Sequence, residues 1–196
     1  MNVLVIPEDF RKDQYILKPI VEAMLQAIGR RAKVIVCQDP LLGGVDQATK
    51  WERIREILDR YRYSVNIFLL IVDRDGQPGR RDALNALERK AKEYLAADRF
   101  FLAENAWQEV EVWILAGHDL PRDWAWKDIR QETDPKEVYF KSFAQARKRL
   151  DEPGQGRKTL AQEAAKNYNR VRSRCVEDVA SLEDRLKVLL SAQKSA

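Results

Sequence analysis

The sequence predicts an α/β fold in which a small, parallel, Rossmann-like sheet is flanked by helices and followed by a helical C-terminal extension. Short apolar segments at residues 2–7, 33–37 and 66–72 are each followed by a polar break and a longer helical stretch. A fourth strand is predicted at 99–103. Short apolar strands alternating with helices of about 15 residues are typical of βαβ units.

The central strand and the helical stretches define the predicted layers and domains. Residues 66–72 are apolar without alternation, which indicates a strand that is covered on both faces. We predict an α/β domain at residues 1–118, with an extension at 119–196 packed on it. Helices are predicted at 14–28, 46–62, 80–97, 107–116, 135–150, 157–168 and 176–191.

Composition limits the classes of protein to consider. The 196 residues include 35 basic and 31 acidic ones, so the net charge of +4 indicates a mixed, solvated surface. Cys37 and Cys175 form no ligand pattern and are predicted to be reduced thiols. No apolar run approaches the roughly 20 residues of a membrane span, and the first residues do not resemble a signal peptide. These observations predict a cytoplasmic protein without membrane contact.

Acidic residues follow two of the predicted strands. Glu8 and Asp9 come after the first strand, and Asp73 and Asp75 after the third. Ligands of open parallel sheets bind outside the carboxyl ends of the strands. In an extended segment residues i and i+2 point the same way, so Asp73 and Asp75 are expected to converge. Clustered carboxylates suit a hard divalent cation such as Mg²⁺ or Mn²⁺.

A third acidic pair, Glu109 and Glu111, lies within an otherwise apolar segment. Charged residues in such a segment need a partner or a ligand. On the predicted 107–116 helix, residues i and i+2 are about 200° apart. We therefore expect one glutamate to bind or support a metal ion while the other is solvated.

The segments VLVIPEDFRKDQYILKPIV, IFLLIVDRDG and QEVEVWILA resemble the TOPRIM domain of topoisomerases, primases and OLD-family nucleases. They are most similar to small stand-alone TOPRIM-like bacterial proteins, as are DPKEVYFKSF and SRCVEDVASLEDRL. The most specific matches are Glu8 and the Asp73–Asp75 pair. One departure is that Asp9 stands where the motif usually has a glycine.

The resemblance implies a Mg²⁺- or Mn²⁺-dependent nuclease acting on phosphodiesters, with a role in defence against phage or foreign DNA. Glu8, Asp73 and Asp75 would be metal ligands, and Glu8 is alternatively a general acid or base. Glu109 or Glu111 would complete a second metal position. Lys136, in the matched DPKE segment, is predicted to reach the scissile phosphate. A protein partner or a homodimer is also expected.

A dense basic segment follows in the extension. Arg170, Arg172 and Arg174 are the predicted nucleic-acid contacts, because closely spaced arginines can follow phosphates along a strand. A solvated, salt-bridged face would show the same composition, because acidic residues intervene.

Three other functions remain open at this stage. A haloacid-dehalogenase-like phosphatase would use Asp73 as its nucleophile, although Gln77 replaces the usual threonine. A signalling receiver would need a lysine after a fifth strand, which the sequence does not show. The third is a non-catalytic module that works with a partner. No GxxxxGK[ST] or GxGxxG motif supports a nucleotide cofactor.

Overall fold

The computed structural model describes residues 1–192 and contains one four-stranded parallel sheet. The strands are β1 (Asn2–Pro7), β2 (Lys33–Val36), β3 (Ile67–Asp73) and β4 (Phe100–Ala106). They are arranged in the order β2-β1-β3-β4, and every neighbouring pair is parallel. The predicted α/β class with a parallel sheet is therefore confirmed.

Helices connect the strands and form the C-terminal part of the chain. Those between the strands are α1 (Phe10–Ala27), α2 (Val45–Ala48), α3 (Trp51–Tyr61) and α4 (Arg80–Tyr94). Those after the sheet are α5 (Glu111–Ala116), α6 (Trp126–Gln131), α7 (Lys141–Ala146), α8 (Arg157–Lys166), α9 (Tyr168–Arg174) and α10 (Ser181–Ala192). Single π-helical turns, Lys136–Phe140 and Val176–Ala180, lead into α7 and α10.

Both faces of the sheet are buried, as the unbroken apolar strands predict. Successive strand residues point to opposite faces, so Leu69 and Ile71 pack in one hydrophobic core while Leu70 and Val72 pack in another. The first core includes residues of α1, α5 and the helices of the extension. The second includes residues of α3 and α4. The sheet is therefore a middle layer with helices on both sides.

The strand order fixes where a ligand site can form. From β1 the chain moves to one side to form β2, and then crosses to the other side to form β3 and β4. The order therefore reverses between β1 and β3, and a crevice is expected at their carboxyl ends. Pro7 of β1 pairs with Ile71 of β3, so both strands reach this end of the sheet.

The segment that contains β4 and leads into α5 differs from the prediction. The predicted fourth strand, 99–103, extends to Ala106, and the predicted helix at 107–116 begins only at Glu111. Gln108 has a φ of 75°, which a helix cannot contain. The polar residues Glu104 and Asn105 hid the end of this strand, although both are buried.

The other predicted helices have the correct locations but different boundaries. The 46–62 helix is divided into α2 and α3. The 135–150 and 176–191 helices each begin with a π-helical turn, and the 157–168 helix ends at Lys166. Helix α9 follows almost directly and was not predicted.

The extension shares a hydrophobic core with the sheet and is also attached through a buried ion pair. Asp178 is completely buried and accepts hydrogen bonds from the backbone of Trp107 (2.7 Å) and the indole of Trp113 (2.8 Å). The Arg130 guanidinium also donates to it, at 3.2 and 3.3 Å. The boundary at 118 stays a prediction, and residues 193–196 of the predicted extension lie outside the described residues.

Across residues 1–192, the helices include none with the length and apolar character needed to span a membrane.

Candidate metal centre

Glu8 and Asp73 meet at the carboxyl ends of the two central strands. Glu8 follows β1 directly, and its Oε2 accepts a hydrogen bond from the backbone N–H of Asp73 at 3.0 Å. Asp73 is the last residue of β3, and its Oδ1 accepts from the backbone N–H of Val110 at 2.9 Å. Two acids that are 65 residues apart in sequence therefore lie side by side at the point where the strand order reverses.

Asp73, Glu109 and Glu111 each offer a carboxylate oxygen, and these three atoms all lie within 4.8 Å of one another. The two glutamates are both buried. The expectation that only one of them faces the site is wrong, because Glu109 precedes the helix and is not restricted by helical geometry. This acidic cluster can hold a metal ion.

The turn that brings Glu109 to the cluster depends on Gln108. Its carbonyl accepts the backbone N–H of Arg74 at 2.8 Å, and its side-chain Oε1 accepts that of Gly76 at 2.8 Å. The loop after β3 is thus fastened to the loop after β4. The left-handed backbone at Gln108 carries a strain that these contacts offset. Gln108 was not identified from the sequence.

Asp75 is placed differently from the prediction. Convergence with Asp73 would require an extended segment, but the strand ends at Asp73 and Asp75 has a φ of 50°. Its side chain lies at the surface, 3.7 Å from the guanidinium of Arg80. Asp75 still raises the pKa of Glu8 through its charge, so it lies at the rim of the site.

Each buried glutamate has a cationic partner from the extension. Glu109 accepts hydrogen bonds from both the ammonium of Lys136 (2.8 Å) and its backbone N–H (2.7 Å). Glu111 accepts from Nε of Arg157 at 2.9 Å, and this guanidinium is almost completely buried. Arg157 also donates to the carbonyl of Gly154 at 2.8 Å, which fixes its position. Lys136 was predicted from the sequence to be a site residue, whereas Arg157 was not.

When no metal ion is bound, the electrostatics of the site disfavour the charged form of these carboxyl groups. Burial raises the pKa of Asp73 well above its usual value, and the charges of Glu8 and Glu111 raise it further. Burial also raises the pKa values of Glu8 and Glu109, although hydrogen bonds from Asp73 and Lys136 act in the opposite direction. A bound divalent cation would stabilise these carboxyl groups, because it favours their charged forms.

The chemistry of the cluster fits a hard metal ion. All the donors are carboxylate oxygens, which suit a hard divalent ion and not a soft metal. A surface cavity of about 430 Å³ is lined by Glu8 and Asp9 and, from the loop after β2, by Leu41, Gly43 and Gly44. A ligand can therefore approach the carboxyl end of β1 from solvent.

A further acid, Asp13 of α1, lies beside this group and was not identified from the sequence. It is buried and accepts the backbone N–H of Asp9 at 3.0 Å. Burial raises its pKa to about 8, with contributions from the charges of Glu111 and Glu8. Asp13 therefore carries a proton at neutral pH in the metal-free protein. The only local signal was an acid on the otherwise apolar face of a helix.

The replacement Asp13→Asn tests this assignment. The folded protein holds the Asp13 proton more tightly than the unfolded chain, whose ordinary pKa is 3.8. The contribution of Asp13 to stability is therefore lost as the pH rises from about 4 to about 8. We expect the variant to match the parent protein near pH 4 and to become progressively more stable than it up to about pH 8. Urea unfolding at a series of pH values, with a chelator present, measures this; a difference that does not change with pH would contradict it.

The three predicted nucleic-acid arginines have partners within the chain. Arg170 pairs with Asp119 at 2.6 Å, and Arg172 pairs with Glu183 at 2.7 Å. Arg174 donates to the backbone carbonyls of Ala116 and His118. Their contact with nucleic acid stays a prediction, as does the contact of Lys136 with a phosphate.

Comparisons of the chain with protein-family models, with curated proteins and with solved structures give no match. The fold and the acidic cluster are therefore the basis for a functional assignment.

Proposed function

We propose that this chain is a divalent-metal-dependent nuclease of the TOPRIM type that hydrolyses nucleic-acid phosphodiesters. The observation that carries the proposal is the acidic cluster of Asp73, Glu109 and Glu111, with Glu8 beside it, at the reversal of strand order in a parallel sheet. The order of the motifs along the chain, with a glutamate after β1 and DxD at the end of β3, supports the same class.

The residues have distinct roles in this proposal. Asp73 and Glu111 would hold Mg²⁺, with Glu8 as a further ligand or as the general base, and Glu109 at the side of the cluster next to Lys136. Bound Mg²⁺ supplies neutralisation of phosphate charge and activation of a water molecule. Lys136 is 29% exposed at its side chain and would contact a phosphate oxygen from the solvent side. Asp75 would remain at the rim with Arg80.

The proposed need for a metal ion follows from the negative charges of the substrate and of the acidic cluster. A phosphodiester is anionic and would be repelled by four carboxylates alone, so substrate binding requires a cation in the cluster. Burial of Glu109 and Glu111 strengthens this requirement, since the local dielectric is lower than in water. Arg170, Arg172 and Arg174 would extend the contact along the strand by exchanging their acidic partners for phosphates.

Metal removal and replacement test the proposal. We expect the purified protein to cleave single- or double-stranded DNA, or RNA, when Mg²⁺ or Mn²⁺ is supplied, and to lose all cleavage in excess EDTA. Adding Mg²⁺ in excess of the chelator should restore it. Gel analysis of labelled substrates measures the effect. Cleavage that persists in EDTA, or no cleavage with either metal on any of the substrates, would contradict it.

The same samples distinguish the phosphatase alternative. A phosphatase that uses Asp73 as nucleophile would release phosphate from small phosphomonoesters such as p-nitrophenyl phosphate and would form a covalent adduct on Asp73. A nuclease should leave these substrates intact while it cleaves the polymer.

A further inference from the structure

We infer that this centre takes one divalent ion and that Lys136 is a tethered cation filling the position a second ion would need. The inference deepens the proposed function and rests on it. It concerns the number of metal ions, and it identifies Lys136 as a positioning residue for Glu109 in addition to any contact with substrate.

Geometry provides the first argument. The ammonium of Lys136 lies 2.8 Å from Oε1 of Glu109, and its backbone N–H lies 2.7 Å from Oε2. Both oxygens of this carboxylate are therefore already engaged by one residue. A metal ion bound by Glu109 would have to displace the ammonium or share an oxygen with it. Glu109 is thus oriented by Lys136 at the edge of the cluster.

The charge balance provides the second argument. Four carboxylates contribute to the centre: Glu8, Asp73, Glu109 and Glu111. Two fixed cations oppose them, because Lys136 pairs with Glu109 and Arg157 pairs with Glu111. Two of the four carboxylates are thus already paired with fixed cations, which leaves less negative charge to attract a second divalent ion.

The acid at the rim of the site adds little to this attraction. Asp75 has its own counterion in Arg80. A second divalent ion would therefore have to enter a largely buried cluster that already contains two fixed cations, which is unfavourable.

The positive charge of Lys136 acts on the whole acidic cluster. Its ammonium lies 2.8 Å from Glu109, one of the three acids whose carboxylate oxygens all lie within 4.8 Å of one another. Removal of this ammonium would therefore make the centre more negative. The Lys136→Met variant keeps the backbone N–H that binds Oε2 of Glu109, so the carboxylate remains anchored.

Calorimetric titration with Mn²⁺ tests the inference without any substrate. We expect the parent protein to bind one Mn²⁺ per chain. The Lys136→Met variant should bind its first Mn²⁺ about tenfold more tightly or better, because one opposing charge has been removed a short distance from the ion. It should also accept a second, weaker ion.

Two further variants serve as controls. Lys136→Arg keeps the charge and should bind one ion with nearly the parent affinity. Lys141→Met removes a lysine whose ammonium pairs with the exposed Glu137, and it should also behave like the parent protein. Melting temperatures measured without metal establish that each variant is folded.

The outcomes separate this inference from the function on which it rests. Two Mn²⁺ ions per parent chain, or weaker Mn²⁺ binding by the folded Lys136→Met variant, would overturn the one-ion inference while leaving metal-dependent cleavage intact. Failure of the parent protein to bind Mn²⁺ at all would overturn both.

Discussion

Replacing Glu8 by Gln, or Asp73 by Asn, is expected to reduce metal-dependent cleavage by a factor of about 10³ or more. Each change removes one carboxylate charge from the centre. A rate loss of about 10³ corresponds to an increase of roughly 4 kcal/mol in the activation free energy of cleavage. Both amides are isosteric with the acids they replace. Each also retains a carbonyl oxygen, which can still accept the N–H of Asp73 or of Val110.

Both variants should remain folded, so that a loss of cleavage would reflect a change in the metal centre and not unfolding. Burial raises the pKa values of both carboxyl groups, and the charge of Glu8 raises that of Asp73 further. In the absence of metal, a neutral replacement should therefore be tolerated or stabilising. Single-turnover cleavage rates at saturating Mg²⁺ measure the effect. Glu22→Gln, on the exposed side of α1, is the matched control and should cleave at the parent rate. Parent-like cleavage by both site variants would exclude this centre as the active site.

The largest expected effect on stability comes from Asp178→Ala. The change leaves the backbone N–H of Trp107 and the indole N–H of Trp113 without their acceptor, and it removes one of two acidic partners of the buried Arg130. Removal of one member of a buried ion pair typically costs about 3–5 kcal/mol. We expect a loss of that order in the free energy of unfolding, measured by urea denaturation.

Glu177→Ala is the matched control for this prediction. Glu177 also pairs with Arg130, at 2.7 Å, but about half of its side chain is exposed. An exposed ion pair contributes about 1 kcal/mol or less. Similar losses from the two changes, or a loss below about 1 kcal/mol for Asp178→Ala, would show that the buried position of Asp178 is not what stabilises the fold.

The sequence was most informative where local pattern and topology act together. Apolar runs of strand length located β1 and β3, and the parallel arrangement follows from the helices between them. Once the strands are parallel and adjacent, residues that end them must share one edge of the sheet. This reasoning placed Glu8 next to Asp73 with no knowledge of distances.

Local pattern was misleading in the segment 104–111. Glu104 and Asn105 look like the end of a strand, but Arg81 and Arg185, which are distant in sequence, neutralise Glu104 and allow the strand to continue. The left-handed turn at Gln108 then replaces the first turn of the expected helix. Convergence of Glu109 and Glu111 depends on this turn, and no periodicity in the sequence predicts it.

The counterions of the centre were equally inaccessible to a local argument. Arg157 lies 46 residues after Glu111, in a segment whose acidic and basic residues look evenly mixed. Its near-complete burial distinguishes it from its neighbours, and burial depends on how α8 packs against α1 and α5. Only the tertiary structure shows which of many arginines has this role.

The supply of both cationic partners by the extension has a consequence for how the chain can be divided. The acids belong to the sheet and its loops, whereas Lys136 and Arg157 come from beyond residue 118. A fragment that stops there would hold two buried glutamates stripped of their neutralising groups. Assembly of the acidic cluster is therefore expected to depend on docking of the segments that carry Lys136 and Arg157.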